Sequence, residues 1–274
     1  MTETTVPLVP LGDGVQIPQL GFGTFKMPPD DAQRCVEQAL SVGYRHIDTA
    51  SAYGNEAEVG AAIAASGIPR DQLFITTKLW RDSHLPDAAR TAINTSLEKL
   101  RLDHVDLYLI HWPATLHFGD LYIGAWDMLQ HFKREGLATS IGVCNFNSNN
   151  LDHLRGEIPS VNQVELHPTF AQVPLRAEMA RRGIAVEAWS PLGRGADVTN
   201  STVLAVAADT GRTPAQVILR WHIQHGLIAI PKSVTNDRIA ENFHIFDFTL
   251  TPDQMSLLDS LELGVRIGTD PATV

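Results

Sequence analysis

The sequence predicts an α/β protein built as a closed barrel of parallel strands, the (β/α)8 or TIM-barrel architecture. Short apolar or β-branched segments alternate with longer amphipathic segments about eight times along the chain, as such a barrel requires. No GxGxxG motif follows a first strand, although a doubly wound nucleotide-binding sheet would favour one, and GFGT at 21–24 is only half of it. We therefore expect a single barrel domain that covers all 274 residues, 1–274.

The strands are predicted from short segments that are apolar almost throughout, which is typical of parallel strands covered on both faces. The predicted strands are residues 44–48, 73–79, 105–111, 139–144, 161–165, 185–189 and 227–230, with a weaker eighth strand at 245–248. Before them, residues 8–11 and 15–17 flank the turn-forming sequence Gly12-Asp13-Gly14. This pattern indicates a β-hairpin that closes the bottom of the barrel.

Helices are predicted where apolar residues recur with helical spacing. Pro214 follows the capping residue Thr213 and indicates a helix start. Gly136, Gly183 and Gly226 each follow a helical segment, where a left-handed cap residue is expected. The predicted helices are residues 30–41, 87–100, 121–134, 201–209, 214–224 and 237–243.

Composition and charge argue against several classes of partner. The net charge of −10, without clusters of Lys or Arg, disfavours binding to nucleic acid or to an anionic membrane. No segment approaches the roughly 20 apolar residues that cross a bilayer, and residues 1–14 lack the basic and apolar regions of a secretory signal. Cys35 and Cys144 lie far apart without a CxxC motif, which gives no sign of a disulfide framework and favours the cytoplasm.

Four titratable side chains interrupt the apolar pattern at one end of the predicted barrel. Asp48, Lys78 and His111 stand at the carboxyl ends of the first three predicted strands, and Tyr53 follows Asp48 by a few positions. Each alone has an ordinary structural explanation, as a capping carboxylate, a surface lysine, a core histidine or a packed aromatic ring. Together they lie where barrel enzymes carry their chemistry.

These four residue types together suit proton donation to a carbonyl oxygen. A tyrosine, with a pKa of about 10, is a poor donor at neutral pH, and an adjacent ammonium lowers that pKa. A carboxylate keeps the lysine charged and fixed, and a neutral histidine can donate a hydrogen bond to a carbonyl oxygen. Side chains cannot supply a hydride, so reduction of the carbonyl implies a cofactor.

Six motifs, taken in chain order, resemble those of the aldo-keto reductase superfamily. The compact length is similar to that of its prokaryotic branch, which includes diketogluconic acid reductases. The motifs are GYRHIDTASAYGNEAEVG (43–60), FITTKLW (74–80), DLYLIHWP (106–113), SIGVCNF (140–146), NQVELHP (162–168) and IPKSVTNDRIAENF (230–243).

The resemblance implies NADPH-dependent reduction of aldehydes and ketones, including α-dicarbonyls or keto-sugars, to alcohols by a cytoplasmic monomer. It implies a catalytic set of Tyr53, Asp48, Lys78 and His111, with Tyr53 as the general acid. It also implies a small-molecule carbonyl substrate as the partner and no metal. Phe25, Trp80, His111 and Trp112 are then expected to line the substrate pocket.

The same resemblance assigns a cofactor path. Asn145 and Gln163 would hold the nicotinamide carboxamide, and Trp189 would stack on the nicotinamide ring. Lys232 and Arg238 flank a predicted helix start near Asn236, an arrangement that suits a phosphate group. Residues 190–192 would follow the pyrophosphate, residues 232–234 and 238 would bind the 2′-phosphate, and residues 241–242 would contact the adenine. The implied cofactor-binding residues are Gly23, Thr24, Asn145, Gln163, Trp189, Ser190, Pro191, Leu192, Lys232, Ser233, Val234, Arg238, Glu241 and Asn242.

Two features leave room for variation. Cys144 stands where the family pattern usually has serine, so the carboxamide site would depend more on Asn145 and Gln163 if this position touches it, while an inert buried thiol is the alternative. The polar segment after Leu263 is short, which by resemblance implies an open, permissive pocket.

Two other functions compete with carbonyl reduction. A regulatory NADPH-binding subunit would keep the barrel and the four residues but turn over slowly. A metal-dependent barrel hydrolase would need clustered ligands, and the eleven histidines form neither HxH nor HExxH.

Overall fold

A parallel sheet of eight strands closes on itself in the computed structural model, which describes residues 6–274. Residues 1–5, part of the segment that argued against a secretory signal, lie outside the described residues. A two-stranded antiparallel hairpin precedes the sheet. The hairpin strands are β1 (Leu8–Pro10) and β2 (Gln16–Pro18), and the barrel strands are β3 (Phe22–Gly23), β4 (His46–Asp48), β5 (Phe74–Leu79), β6 (Val105–Ile110), β7 (Ala138–Cys144), β8 (Val161–Glu165), β9 (Ala185–Trp189) and β10 (Ile228–Ala229).

The sheet closes between its first and last strands. Leu20 forms a parallel bridge with Ala229, and the Gly21 amide donates to the Ala229 carbonyl at 2.9 Å. The Gly23 amide donates to the Pro231 carbonyl at 3.0 Å. The strands therefore form a complete (β/α)8 ring, as predicted.

One predicted strand is wrong, and another takes its place. Residues 245–248 form no strand: the Ile245 amide donates to the Phe243 carbonyl at 2.9 Å and its carbonyl accepts from Arg220 at 3.1 Å, so neither group is free to pair with a neighbouring strand. Phe248 instead packs beneath the guanidinium of Arg212, whose Cζ lies 4.7 Å from the ring centroid. The missing barrel strand is Phe22–Gly23, the segment interpreted above only as half of a glycine motif, and two residues are too few to produce an alternating pattern.

Alternate residues of the strands enter two separate apolar cores. Phe74, Leu107, Leu109 and Val161 pack inside the ring, together with Leu11 and Ile17 of the hairpin region. Their neighbours along the strands, Ile75 and Tyr108 among them, face outward into the larger core beneath the helices. The hairpin thus covers the amino-terminal ends of the strands, as predicted, and leaves the carboxyl ends for the site.

Helices surround the ring, and the six predicted ones are present. Thr213 and Gln216 form a reciprocal cap at the start of the helix that Pro214 begins. Gly136, Gly183 and Gly226 all have positive φ angles, as expected of helix-terminal glycines. The helices are α1 (Pro29–Val42), α2 (Glu56–Ala65), α3 (Pro86–Leu100), α4 (Thr115–Phe118), α5 (Leu121–Arg134), α6 (Ser148–His153), α7 (Val173–Arg182), α8 (Ser201–Thr210), α9 (Pro214–Gln224), α10 (Asn236–Phe243) and α11 (Pro252–Asp259).

Helices α2, α4, α6, α7 and α11 were not predicted. Helix α2 carries small and apolar residues on all sides, and α4 and α6 are too short to show a helical period. Among the described residues, no helix combines the length and apolar character that a bilayer crossing needs.

Helices α2 and α3 approach closely at Gly60. A Cβ atom there would lie 2.5 Å from the Lys99 carbonyl oxygen and 2.7 Å from the Leu100 Cα, both backbone atoms of α3. We expect Gly60→Ala to destabilise the protein by about 1–3 kcal/mol, because the two helices must move apart. Urea unfolding measures the difference. The matched control is Gly124→Ala on the exposed side of α5, where no atom lies within 4 Å; this change should stabilise by about 0.5–1 kcal/mol. Equal effects of the two changes would contradict the close approach.

Candidate active site

The carboxyl ends of β4, β5 and β6 bring the four predicted catalytic residues together. Asp48 ends β4, Lys78 lies near the end of β5 and His111 directly follows β6. Tyr53 ends a short 3-10 turn after β4. Parallel strands present their carboxyl ends at one edge, so these side chains share the mouth of the barrel.

Asp48 and Lys78 form a fully buried ion pair. The Lys78 Nζ donates to Asp48 Oδ1 and Oδ2 at 2.7 and 2.8 Å and to the Thr49 carbonyl at 2.8 Å. Burial lowers the pKa of Lys78, but Asp48 and Tyr53 more than offset this, so the net pKa lies above that of an ordinary lysine. Burial raises the pKa of Asp48, and the hydrogen bonds from Lys78 and Gln163 act against that rise. The lysine therefore keeps its proton at neutral pH.

The Tyr53 hydroxyl lies next to this pair. Lys78 Nζ is 3.3 Å from Tyr53 Oη and 5.0 Å from the centre of the ring. Burial raises the pKa of Tyr53 and outweighs the lowering by Lys78, so the net pKa lies above that of an ordinary tyrosine. The direction of the lysine effect is as predicted, but the net lowering of the pKa is wrong, because desolvation of the phenolate is the larger effect. Tyr53 is a neutral phenol at neutral pH.

His111 completes the group as a neutral imidazole. Its ring centroid lies 5.5 Å from that of Tyr53 and 5.0 Å from that of Trp80. Burial, assisted by the charge of Lys78, holds the pKa of His111 well below its ordinary value. Its Nδ1 atom is buried without a hydrogen-bond partner in the described residues. A neutral imidazole at this position can donate one hydrogen bond to a ligand oxygen.

Aromatic rings border the tyrosine and histidine. Phe25 lies 5.1 Å from Tyr53 between ring centroids and is 46% exposed, so it stands at the rim. The Trp112 ring stacks near His111 with 6.4 Å between the centroids, and the Trp80 ring meets the imidazole edge to face at 5.0 Å. The predicted pocket residues thus surround the two groups that would meet a substrate.

Asn145, Gln163 and Cys144 form a polar group at the ends of β7 and β8. The Gln163 Nε2 donates to Asp48 Oδ2 at 2.7 Å, which turns its Oε1 toward the Cys144 thiol at 3.7 Å. Asn145 adopts a left-handed φ of 66° and donates to the His111 carbonyl at 3.1 Å. Burial raises the pKa of Cys144, so the thiol stays protonated. The Gln163 Oε1, bonded only to a weak donor, fits an amide N–H such as that of a carboxamide.

Trp189 ends β9 beside this group. Its indole Nε1 donates to Asn145 Oδ1 at 2.9 Å, and its side chain is partly exposed. Ser190 follows with a φ of 51°, which begins the turn through Pro191 and Leu192 away from the strand. The chain therefore presents an indole beside the amides, a surface suited to an aromatic ring.

Gly23 and Thr24 lie on the opposite side of the mouth. The Thr24 hydroxyl and amide both donate to the Asp48 carbonyl at 3.0 Å, and Asn55 donates to the Thr24 carbonyl at 3.0 Å. Thr24 is fully buried and therefore braces the strand end that carries Asp48. Asn55 was not predicted as a site residue, although it lies within the GNE motif.

Lys232, Ser233, Val234 and Arg238 gather at the start of α10, just past the end of β10. Lys232 and Arg238 are exposed cations, and the Ser233 hydroxyl accepts the Thr235 amide at 3.1 Å. These donors fit a phosphate. Arg34 of α1, which sequence reasoning missed, joins them by donating to Asn236 and to the Val234 carbonyl.

The two predicted adenine residues lie further along α10. Glu241 accepts a hydrogen bond from the Thr213 hydroxyl at 2.8 Å, so its carboxylate also ties α10 to α9. Asn242 is 4% exposed. Among residues 6–274, no group of three or more His, Cys, Asp or Glu side chains is arranged to hold a metal ion.

A second buried layer below Asp48 was also missed. Gln163 Nε2 donates to Glu187 Oε2 at 2.9 Å, and Glu187 Oε1 lies 3.5 Å from His46 Nε2. Burial, with the nearby charge of Asp48, raises the pKa of Glu187 to about 8, and burial lowers the pKa of His46 to about 3. Both groups are thus neutral at pH 7. A glutamate in the middle of the apolar strand AVEAW was the signal that could have found this layer.

Comparison with known proteins shows which family the chain resembles. The model of the aldo/keto reductase family matches residues 19–263. A methylglyoxal reductase DkgA of Yersinia pestis is 47% identical over 274 residues, covering 98% of this chain and 97% of the relative. The crystal structure of an aldo/keto reductase from Brucella melitensis superposes with a TM-score of 0.92 at 47% identity, over 96% of this chain and all of that one.

A crystal structure of a mutant of Gox0644 in complex with NADPH superposes with a TM-score of 0.94 at 39% identity, over 99% of each chain. The match spans the barrel and both sides of its mouth, and the identity is far above what a shared fold alone produces. The chain belongs to the aldo/keto reductase family, and it is an oxidoreductase of the NADPH-dependent kind that acts on carbonyl groups.

Proposed function

We propose that this protein reduces aldehydes and ketones, α-dicarbonyls and keto-sugars among them, to alcohols, with Tyr53 as the general acid. The observation that carries the proposal is the contact of the Tyr53 hydroxyl with Lys78 at 3.3 Å, beside a neutral His111 and at the open end of the barrel. The similarity to a methylglyoxal reductase supports α-dicarbonyls as substrates.

Tyr53 and His111 act on the carbonyl oxygen. His111 donates a hydrogen bond that orients the carbonyl, and Tyr53 delivers its proton as negative charge develops on the oxygen. An alkoxide is a far stronger base than a phenolate, so a Tyr53 that is protonated at neutral pH is a competent donor. Lys78 then stabilises the resulting phenolate, and Asp48 keeps Lys78 charged and in place.

The predicted cofactor-binding residues would hold NADPH next to Tyr53 and His111. NADPH, when bound, supplies the hydride that reaches the carbonyl carbon. Gln163 and Asn145 would fix the carboxamide, Trp189 would back the ring, and Lys232 with Arg238 would bind the 2′-phosphate. Cys144 would contribute only a weak hydrogen bond at the position where the family usually has serine.

We also propose a single barrel domain that acts as a cytoplasmic monomer on small molecules. Cys35 and Cys144 are both buried free thiols, which suits a reducing compartment. The net charge of −10 disfavours nucleic acid as a partner. Sedimentation equilibrium of the purified protein tests the monomer, and a mass near 60 kDa, twice the chain mass of 30.0 kDa, would contradict it.

The assignment of the general acid is tested by Tyr53→Phe. We expect kcat/KM for carbonyl reduction to fall by about 10²- to 10⁴-fold, because the ring remains but the proton donor is lost. NADPH binding, measured by fluorescence titration, should be unchanged. The matched control is Tyr122→Phe, whose hydroxyl contacts His153 at 3.0 Å away from the mouth and whose loss should leave turnover intact.

Near-normal turnover by Tyr53→Phe would overturn the assignment of the acid. The competing regulatory function has a different signature in the unaltered protein: tight NADPH binding with negligible oxidation across a panel of aldehydes, α-dicarbonyls and keto-sugars.

Lys232 is expected to determine the choice between NADPH and NADH. We expect Lys232→Ala to weaken NADPH binding by about 10- to 100-fold, because a charge-assisted contact with the 2′-phosphate is lost. NADH binding should not change, since NADH lacks that phosphate. The exposed Lys99 of α3 provides the control substitution Lys99→Ala. Equal loss of affinity for both cofactors would place Lys232 outside the 2′-phosphate site.

Glu187 is expected to make the stability of the protein depend on pH. The pKa of Glu187 is about 8 in the folded protein and 4.5 in an unfolded chain, so the folded state binds the extra proton between these values. Stability from this group is therefore lost as pH rises through that window, by at most about 1.4 kcal/mol per pH unit. We expect Glu187→Gln to lack this loss, so its advantage over the wild type grows from pH 5 to pH 8.

Thermal unfolding across that pH range measures the effect of Glu187→Gln. Glu98→Gln on the exposed side of α3 is the control and should follow the wild type. Parallel stability curves for Glu187→Gln and the wild type would mean that Glu187 is already ionised at pH 5.

A further inference from the structure

The carboxyl-terminal segment returns to the mouth of the barrel. After α11, the Leu263 amide donates to the Thr169 carbonyl at 2.9 Å, and the Leu116 amide donates to the carbonyl of Val274 at 3.0 Å. Between these anchors the chain passes across the ends of β8 and β9. The short tail, which by resemblance implied an open pocket, therefore lies against the strand ends that carry the cofactor residues.

Glu165 holds this segment from inside the barrel. It ends β8 and is fully buried, and its Oε1 accepts the Ile267 amide at 2.7 Å and the Gly268 amide at 2.8 Å. Arg266 Nη1 lies 3.7 Å from Glu165 Oε2. Two backbone amides and one guanidinium of consecutive residues thus converge on one carboxylate.

His167 connects Glu165 to the turn after β9. Its Nε2 lies 3.4 Å from Glu165 Oε1, and its Nδ1 lies 3.1 Å from Asp197 Oδ2. Burial alone would lower the pKa of His167, but the two carboxylates raise it above its ordinary value. The pKa of Glu165 is lowered, because its hydrogen bonds outweigh burial. Arg266, Glu165, His167 and Asp197 therefore form a continuous chain of contacts in which basic side chains alternate with carboxylates.

Gly268 lies directly against Trp189. A Cβ atom at this position would be 2.3 Å from Trp189 Cη2 and 2.8 Å from Glu165 Oε2. The φ angle of Gly268 is negative, so close approach to the indole, not backbone conformation, accounts for glycine here. On its other side the indole donates to Asn145 at 2.9 Å.

We propose that Gly268 is a positioning residue: the tail backbone at 266–268, anchored by Glu165, is the rear wall that fixes the Trp189 indole for contact with the nicotinamide. The proposal rests on the proposed function, in which Trp189 backs the nicotinamide ring. It assigns to the tail a task at the cofactor, distinct from any contact with substrate.

The test is a double-mutant cycle between Gly268→Ala and Trp189→Tyr. In the wild-type background, the added methyl group should displace the indole and weaken NADPH binding by about tenfold, as overpacking of a close contact does. In the Trp189→Tyr background, the smaller ring removes the clash with the indole and leaves only the close contact with Glu165 Oε2, so the further loss of NADPH affinity from Gly268→Ala should be much smaller. Thr269→Ala, an exposed neighbour in the tail, is the control and should bind NADPH normally.

Three readouts separate positioning from general loosening of the tail. Fluorescence titration gives NADPH affinity, near-UV circular dichroism reports the indole environment, and far-UV circular dichroism confirms folding. Equal effects of Gly268→Ala in both backgrounds would overturn the proposal, as would an unchanged near-UV spectrum and affinity in the wild-type background. If the effects of the two substitutions on NADPH affinity and on the near-UV spectrum are coupled, the rear wall is supported even when the protein reduces no carbonyl. Absence of turnover would contradict only the proposed reaction.

Glu165→Gln supplies an independent test of the anchor. The amide keeps the shape of the side chain but loses the charge that binds Arg266 and the two backbone amides, so trypsin should cleave after Arg266 at least about tenfold faster, in line with the loss of charge-assisted hydrogen bonds. Glu98→Gln, which changes an exposed carboxylate of α3 outside the tail, is the comparison. An unchanged cleavage rate in Glu165→Gln would show that Glu165 is not the anchor.

Discussion

The buried ion pair of Asp48 and Lys78 is the interaction on which the rest of the site depends. Taking two charges out of water costs several kcal/mol per ion, and only good geometry with additional hydrogen bonds offsets that cost. Here β4 and β5 are neighbours in the sheet, and the Thr49 carbonyl and the Gln163 amide supply the remaining partners. The positions of Tyr53 and Gln163 follow from satisfying this pair. The contacts that offset the cost of burying the ion pair therefore also orient the Tyr53 phenol and the Gln163 amide toward the mouth.

The alternation of strand residues explains why so polar a site can exist in a stable barrel. Outward-facing residues build a large apolar core under the helices, and inward-facing residues near the hairpin build a small one. Stability thus comes from the outer core and from the bottom of the ring. The upper interior is free to hold charged and titratable groups, including the protonated Glu187 beneath Asp48. Because Glu187 is neutral, the Gln163 amide that bonds to both carboxyl groups does not lie between two full negative charges.

The sequence allowed the fold class and the catalytic group to be predicted because both leave local signals. Lys78 and His111 are polar residues at the ends of otherwise apolar strands. Each can be recognised from the sequence of its own strand, without knowledge of the other strands. The strand at Phe22–Gly23 was missed because two residues carry no period. Residues 245–248 were mistaken for a strand because their apolar side chains pack without one: Phe248, for example, lies under the guanidinium groups of Arg212 and Arg220.

Other parts of the site could not be predicted, because they depend on contacts between distant segments. Nothing in the sequence indicates that Glu165 and Gly268 are in contact, although the Glu165 carboxylate accepts a hydrogen bond from the Gly268 amide. The net pKa of Tyr53 depends on how completely its hydroxyl is buried, which residue types alone do not determine. The motif resemblance assigned a role to Tyr53 but none to Glu165 or Gly268, and it did not give the net pKa of Tyr53.

The seam between β3 and β10 has a consequence for how the molecule assembles. Gln19 bonds across this seam to the Ile223 carbonyl, which is 204 positions away in the chain, and only short strands meet there. Contacts of such long sequence separation carry a loop-closure entropy cost that is met before they add stability. Thr24, which braces Asp48, and Lys232, at the start of α10, stand on opposite sides of the same seam. A chain whose ring is still open therefore has no complete cofactor cleft, so closure of the barrel and assembly of the cofactor site are one and the same event.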